Sequence, residues 1–259
     1  MAHWPIYSVS GLLVGVLIGL TGVGGGSLMT PLLVLLFGIH PSTAVGTDLF
    51  YAAATKSVGG TVHAFRRSVD WLIFGLLAAG SVPAALACLV ILSRLGPSSH
   101  AASALITTVL GIALLLTSLT LAFRTRLIAW SKQRGVAVSD SRVRWLTVLL
   151  GFVVGVAVSL SSVGAGAIGA TVLILLYPDI PLRRLVGTDI IHAIPLTLIG
   201  GLGHLMLGTV NVALLGALLL GSIPGIIVGS FAISFVKESW LRYLIAIMLC
   251  IAGVALLRK

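Results

Sequence analysis

Hydrophobic residues fill about ten long stretches of this chain, and short polar connections separate one stretch from the next. Residues 71–92, 101–123 and 145–160 each approach the roughly 20 residues that an α-helix needs to cross a bilayer. The pattern therefore predicts an all-α integral membrane protein. The predicted segments are residues 7–22, 26–38, 44–64, 70–93, 101–123, 145–161, 167–177, 185–207, 211–235 and 240–257.

The second half of the chain repeats the first at an offset of about 140 residues. A bias toward Gly, Val and Leu does not explain the identical Thr-Asp, Gly-Gly and His positions, so the match indicates a duplicated unit. The matches are Gly11, Gly15, Val23, Gly24 and Gly26 with Gly151, Gly155, Val163, Gly164 and Gly166, Val45-Gly46-Thr47-Asp48 with Val186-Gly187-Thr188-Asp189, Gly59-Gly60 with Gly200-Gly201, His63 with His204, and Gly80-Ser81-Val82-Pro83 with Gly221-Ser222-Ile223-Pro224.

Each half contains five segments, and because five is odd the second copy must run through the bilayer in the opposite direction. We predict two inverted repeats, residues 1–123 and 145–259, within one transmembrane domain. Basic residues mark the cytoplasmic side of a membrane protein. The basic linker, residues 124–144, is therefore predicted to be cytoplasmic, with both chain ends outside the cytoplasm. The same assignment places Arg66, Arg67, Arg183, Arg184, Lys237 and Arg242 on the cytoplasmic side.

Composition agrees with a membrane protein and excludes several other classes. Hydrophobic residues make up 58% of the 259 residues and charged residues 8%, against roughly 25% charged residues in a soluble domain. The net charge of +10 lies in the connections and forms no basic face with interleaved aromatic residues, so we expect no nucleic-acid partner. Cys88 and Cys250 have no metal-ligand spacing, and the motifs of metalloproteases, serine hydrolases and nucleotide-binding loops are absent from the sequence. We expect no metal, no cofactor and no enzymatic activity.

Two glycine-rich stretches, residues 21–27 and 161–167, interrupt the segments at matching places in the two halves. The segments that follow would span only about 16–18 Å of a hydrocarbon core roughly 30 Å thick, as half helices do. A half helix that starts at such a break turns its unpaired N–H groups and its positive dipole end toward the break, which favours an anion. The alternative is that the glycines only let helices pack closely. The predicted substrate-binding residues here are Gly24, Gly25, Gly26, Ser27, Gly164 and Gly166.

Lys56 lies about ten residues from either end of its segment, where a charge costs roughly 2.5–3.5 kcal/mol and needs an anionic partner or a wet cavity. It shares a helical face with Gly60 and His63. We predict that Lys56 contacts the substrate. The alternatives are a structural ion pair with Asp48, eight residues away, or with another helix. The second copy has Thr197 at this position.

Thr47-Asp48 and Thr188-Asp189 stand near the starts of corresponding segments in the two halves. One interpretation is that they cap the N-termini of those helices. The other is that they line the pathway, with the hydroxyls of Thr47 and Thr188 donating to an oxyanion and with Asp48 and Asp189 taking part in coupling or gating.

His63 and His204 lie near segment ends, where a histidine at the membrane interface is the commoner arrangement. As titratable groups they are also candidates for coupling or gating. His192 precedes Pro195, which should kink its helix, and the pattern assigns His192 no function.

These motifs resemble a known family. The run Gly19-Leu20-Thr21-Gly22-Val23-Gly24-Gly25-Gly26, followed by Pro31, Ala44-Val45-Gly46-Thr47-Asp48 and Gly59-Gly60, resembles the TauE/SafE sulfite exporter family of bacterial membrane transporters. The resemblance covers nearly the whole chain. It implies a permease of the cytoplasmic (inner) membrane that exports sulfite, sulfonates, thiosulfate or related small organic anions, with an anion site at the residues that match the motif, Gly24, Gly25, Gly26 and Thr47. The second copy departs from the motif, because Ala165 and Ala167 replace Gly25 and Ser27.

Together these observations predict a secondary transporter of a small anion, in which two inverted halves alternate around a site near the midplane of the bilayer. An anion channel on the same scaffold is the alternative. The expected partners are the anionic substrate and the lipid bilayer. The sequence leaves open the identity of the anion, the direction of transport, the coupling ion, and whether the protein is a monomer or a homodimer.

Overall fold

The computed structural model describes residues 4–21, 26–65, 69–134, 140–232 and 238–258. Within these ranges the protein is helical and contains no strand. The ten helices of the described ranges are α1 (Trp4–Thr21), α2 (Gly26–Leu35), α3 (Pro41–Phe65), α4 (Trp71–Leu95), α5 (His100–Arg134), α6 (Asp140–Ser161), α7 (Ala167–Leu176), α8 (Leu182–Met206), α9 (Val212–Ala232) and α10 (Glu238–Leu257).

The helix bounds lie within three residues of the predicted segment bounds everywhere except at the centre of the chain. There α5 continues to Arg134 and α6 starts at Asp140, so most of the predicted linker, residues 124–144, is helical. Hydropathy marks only the part of a helix that lies in lipid, and Arg, Lys and Gln propagate a helix almost as well as Ala. The helices therefore extend beyond their apolar portions.

Six helices of the described residues are long and apolar enough to cross a bilayer, namely α4, α5, α6, α8, α9 and α10. Their outward faces expose large apolar side chains, such as Val90 of α4, Leu119 of α5 and Ile251 of α10. Water disfavours such a surface, whereas lipid tails accommodate it. The chain is a multi-pass, all-α membrane protein, as the sequence predicts.

Four helix pairs organise the molecule: α1 packs along α9, α4 along α6, α5 along α10, and α3 along α8. Glycines allow the closest approaches. A Cβ atom on Gly15 of α1 would collide with the backbone of Ser222 in α9, and one on Gly155 of α6 would collide with the backbone of Ser81 in α4. Small residues have this role in membrane helix interfaces generally.

Two short helices, α2 and α7, pack against α3 and α8 respectively. Each has ten residues and is therefore about 15 Å long, half the hydrocarbon thickness of a bilayer. Apolar clusters surround them, one built on Met29 and Leu33 of α2 and the other on Leu173 of α7. Helices α3 and α8 thus lie in the interior, where their polar residues are removed from lipid.

Candidate functional site

The connection between α6 and α7 is not helical, and it carries unusual backbone angles. Ser162, Gly164 and Gly166 have φ angles of 59°, 120° and 119°, values that suit glycine and strain most other residues. Helix α7 begins directly afterwards at Ala167, so its first N–H groups lie at this break, where that of Gly169 bonds to the carbonyl oxygen of Gly164 at 3.3 Å. We call residues 162–166 the second-half break.

The matching break in the first half is described only in part. Residues 22–25 lie outside the described residues, and the predictions for Gly24 and Gly25 fall there. Gly26 is the first residue of α2, and Ser27 next to it is 8% exposed. The described part therefore shows that Gly26 and Ser27 belong to α2, and the predicted break before them stays a prediction.

Lys56 reaches the second-half break from α3. Its side chain is 6% exposed, and its Nζ donates a hydrogen bond to the carbonyl oxygen of Ala165 at 3.2 Å. It is the one buried Lys or Arg among the side chains that the structure describes. It forms no ion pair with Asp48, nor with any other carboxylate in the described ranges, so both ion-pair alternatives are wrong.

Two buried carboxylates lie close enough to the Lys56 ammonium to interact with it electrostatically. Asp48 of α3 accepts a hydrogen bond from the hydroxyl of Thr30 in α2, while its Oδ1 has no partner. Asp189 of α8 packs directly against Gly169 of α7, and its Oδ2 has no partner. Each half thus contributes one aspartate to the surroundings of a single lysine.

Thr47 and Thr188 form contacts that the sequence did not indicate. Each is the seventh residue of its helix, so neither caps its own helix, and that interpretation is wrong. The helices start three residues before the predicted bounds, at Pro41 and Leu182. The Thr47 hydroxyl instead accepts a hydrogen bond from the backbone N–H of Asn211 at 3.1 Å, at the start of α9.

The Thr188 hydroxyl makes the corresponding contact in the other half. It accepts a hydrogen bond from the backbone N–H of Asp70 at 2.8 Å, at the start of α4, and donates one to the carbonyl of Arg184 at 2.7 Å. Both threonines therefore fix α3 and α8 to the N-terminus of a neighbouring helix. That these hydroxyls donate a hydrogen bond to a substrate stays a prediction. For Thr188, the bond from its hydroxyl to the Arg184 carbonyl would first have to break.

His204 lies in the last turn of α8, near the segment end as predicted, and its side chain is fully buried. Its Nε2 lies 3.1 Å from the carbonyl oxygen of Ser159, and its Nδ1 lies 2.9 Å from the hydroxyl of Thr209. Gly46 of α3 packs closely against His204 and Thr209 at this end of α8. The side chain of His63 lies outside the described residues.

Two further polar residues on the same helices were not predicted as site residues from the sequence. Tyr51 follows Asp48 by three residues on α3, and His192 follows Asp189 by three residues on α8, so each shares a helical face with an aspartate. Tyr51 is fully buried, and His192 is 2% exposed. The spacing was visible in the sequence, but an aromatic residue in mid-helix is usually part of an apolar core.

The described residues contain no group of three or more His, Cys, Asp or Glu side chains that could hold a metal ion. Cys88 and Cys250 are both free cysteines, one buried and the other exposed. The polar interior therefore consists of one ammonium, two carboxylates, hydroxyls, imidazoles and backbone groups. Such a set can bind an oxyanion through charge and hydrogen bonds.

Comparisons with known proteins identify relatives along the whole chain. The family model described as "Sulfite exporter TauE/SafE" matches residues 7–256. The chain is 37% identical over 251 residues to the probable membrane transporter protein YjnA of Bacillus subtilis (strain 168), covering 95% of this chain and 97% of that protein. It is 27% identical over 245 residues to the probable membrane transporter protein YdhB of the same organism, covering 95% and 96%. No solved structure gives a significant match.

Proposed function

Because the chain belongs to the sulfite exporter TauE/SafE family of membrane transporters, we propose that it is a secondary transporter that exports a small anion. Sulfite, a sulfonate, thiosulfate or a related organic anion is the substrate class. Transport proceeds by alternating access around a site between α3, α8 and the second-half break.

The observation that carries this proposal is the environment of Lys56. Within the described ranges, this buried ammonium forms one hydrogen bond, to a backbone carbonyl, and a lysine has two further N–H donors and its positive charge to offer a ligand. The first N–H groups of α7 lie at the same break and favour the same sign of ligand. In this proposal the substrate is bound by Lys56 and by the second-half glycines Gly164 and Gly166. The corresponding first-half residues are Gly24, Gly25, Gly26 and Ser27. Thr47 and Thr188 are also predicted to contact the substrate.

We also propose that the two halves are inverted repeats, each with a glycine-broken helix pair. The helix pairing supports this idea. Exchanging α1–α5 for α6–α10 converts the α1–α9 pair into the α6–α4 pair, and it maps the α3–α8 and α5–α10 pairs onto themselves. A two-fold axis in the membrane plane generates such a pattern, and it would bring the N-termini of α2 and α7 toward each other near the midplane.

The proposed topology places the basic linker, residues 124–144, in the cytoplasm and both chain ends outside, in the cell (inner) membrane. Contacts between connections support a consistent division into two faces. On the cytoplasmic face, Arg184 forms an ion pair with Asp70 at 3.0 Å. On the opposite face, Ser42 donates a hydrogen bond to the carbonyl of Pro97.

The carboxylates give the site a means of coupling. Lys56 supplies one positive charge, whereas Asp48 and Asp189 supply two negative charges when both are ionised. An anion entering that environment is repelled unless a carboxylate takes up a proton, since charges interact strongly where water is scarce. We propose that Asp48 and Asp189 couple anion movement to protons, with His63 and His204 as further candidates.

The experiment that tests the function is anion binding by purified Lys56→Met protein. Wild-type protein is titrated with sulfite, thiosulfate, a short sulfonate and acetate, and the variant is titrated with whichever anion binds. We expect affinity to fall at least about tenfold, because a charge-assisted hydrogen bond contributes about 1.5–3 kcal/mol.

Lys132→Met, in the basic linker, is the matched control and should bind as the wild type does. Wild-type affinity in Lys56→Met would remove Lys56 from the site. Flux into liposomes separates a carrier from the channel alternative: a carrier saturates and follows a proton gradient, whereas a channel does neither.

A further inference from the structure

Two polar pairs lie at the centre of the helix bundle, one in each half. In the second half, His192 Nε2 of α8 lies 2.8 Å from Ser81 Oγ of α4. In the first half, the hydroxyl of Tyr51 on α3 lies near that of Ser222 on α9. Counted from Pro41 and Leu182, Tyr51 and His192 are each the eleventh residue of a 25-residue helix. Both pairs therefore lie close to the middle of the bilayer.

These pairs carry buried atoms that lack hydrogen-bond partners. Tyr51 Oη, Ser222 Oγ and His192 Nδ1 have none, although all three residues are at most 2% exposed. Native proteins rarely leave buried polar groups unpaired, since each one loses its hydration without compensation. These three atoms, at corresponding positions of the two halves, therefore keep hydrogen-bonding capacity for a polar ligand.

Each pair has an electrostatic neighbour among the buried charged residues. The Lys56 ammonium is close enough to His192 to interact with it electrostatically, across the α3–α8 interface. The Tyr51 hydroxyl on α3 is close enough to the Asp48 carboxylate to interact with it electrostatically. The His192–Ser81 pair thus lies near the Lys56 ammonium, and the Tyr51–Ser222 pair lies near the Asp48 carboxylate.

The two serines are held rigidly in place by close helix contacts. The absent Cβ of Gly15 leaves room for the backbone of Ser222, and the absent Cβ of Gly155 does so for Ser81. A proline follows two residues after each serine, at Pro83 and Pro224, and interrupts the backbone hydrogen bonding of α4 and α9. The hydroxyls are thus fixed beside a weakened stretch of helix, an arrangement that suits a site which must open and close.

We propose that the Tyr51–Ser222 and His192–Ser81 pairs are two hydrogen-bonding stations for the transported oxyanion, one in each half on either side of Lys56. The proposal rests on the proposed function and adds residues to that site. Tyr51 and Ser222 donate their hydroxyl protons to anion oxygens. Ser81 donates its hydroxyl proton to His192 Nε2, which leaves the ring proton on Nδ1, and His192 offers this Nδ1–H to the anion. A ligand with at least two acceptor oxygens, such as a sulfonate, sulfite or a carboxylate, can engage a station and Lys56 together.

The test measures anion binding and liposome flux in variants that remove single groups. Tyr51→Phe, Ser222→Ala, Ser81→Ala and His192→Leu should each weaken binding and raise the apparent KM about tenfold, the loss of one hydrogen bond to a charged group. His192→Asn should retain part of the affinity, because its amide N–H₂ lies near the position of Nδ1. Tyr51→Phe should not lower the thermal midpoint, because Oη has no protein partner to lose.

Matched controls remove the same groups elsewhere. Ser230→Ala on α9 and Ser93→Ala on α4 delete exposed hydroxyls bonded only to their own helices, and Tyr243→Phe makes the same change at a half-exposed position of α10. These three should bind as the wild type does.

The outcomes separate this inference from the proposed function. Loss of binding in Lys56→Met with wild-type affinity in Tyr51→Phe and Ser222→Ala overturns the stations and leaves the transporter site intact. A lower thermal midpoint with unchanged affinity would assign Tyr51 and His192 a structural role and also overturn them. If the wild-type protein bound none of the anions, both proposals would fall.

Discussion

Three charged side chains define the residue scale of this protein. Lys56, Asp48 and Asp189 are buried together, and none of them is neutralised by a direct ion pair in the described ranges. A buried structural ion pair needs close contact and further hydrogen bonds to offset its desolvation. The arrangement here keeps Lys56 on a backbone carbonyl and leaves one oxygen of each carboxylate unpaired. This arrangement is the basis of our proposal that the three charged groups bind a ligand and protons.

The contact between Gly169 and Asp189 gives a prediction at this scale. A methyl group on Gly169 would collide with Oδ1 of Asp189, so Gly169→Ala must displace the carboxylate. We expect transport in liposomes to fall at least about tenfold and stability to drop by about 1–3 kcal/mol, typical of overpacking.

The control for that change is Gly75→Ala on α4, which has open space around the new methyl group. There alanine should leave transport unchanged and not reduce the thermal midpoint, since alanine is the better helix former. Equal transport by the two variants would show that the position of Asp189 is unimportant.

At the residue scale, the sequence identified a functional candidate only where a residue differed chemically from its neighbours in the chain. Lys56 stood out because a charge within an apolar stretch is expensive, and the structure places it at a break in the chain. Tyr51 and His192 did not stand out, because only their tertiary neighbours, Ser222 and Ser81, separate them from ordinary core residues. The partners of Thr47 and Thr188 were likewise hidden, since both bond to helices distant in sequence.

At the scale of helices, glycine has two distinct roles. Gly15, Gly155 and Gly221 let helix backbones touch, and each lies inside a regular helix. Gly164 and Gly166 instead adopt positive φ angles that end one helix and allow the next to start. Composition alone gives both kinds the same signal. Only the surrounding pattern, a cluster of small residues between two short apolar segments, distinguished the break.

The packing role is tested by Gly225→Leu in α9. A side chain there would collide with the backbone of α1 at Leu12, and we expect the helix pair to separate at a cost of about 2–3 kcal/mol. For a protein of this size, that cost lowers the thermal midpoint in detergent by about 4–12 °C.

Gly216→Leu lies on the same helix, where the added side chain meets nothing, and it provides the comparison. Its thermal midpoint should stay near that of the wild type. A midpoint for Gly225→Leu as high as that of Gly216→Leu would contradict the close α1–α9 contact.

For the whole molecule, a two-fold relation between the halves would restrict which helix pairs can occur together. A two-fold axis exchanges α1 with α6 and α4 with α9. If α1 packs against α9, then α6 must pack against α4, and both pairs are observed. The repeat could not predict how α3 and α8 face each other, because that contact depends on side-chain packing from both halves. It also gave no information on where α5 ends and α6 begins, since the parts of helices outside the lipid need not be apolar.

The inverted relation itself is tested by labelling the two connections that correspond in the repeat. Cys88 and Cys250 are first replaced by Ala. A single cysteine is then placed at His40, between α2 and α3, or at Asp179, between α7 and α8, both exposed. Inverted copies put these positions on opposite faces, so an impermeant maleimide should label His40→Cys in intact cells and Asp179→Cys only after permeabilisation. Labelling of both from the same face would mean parallel copies, and half-helix dipoles from the two halves would then not converge on one anion.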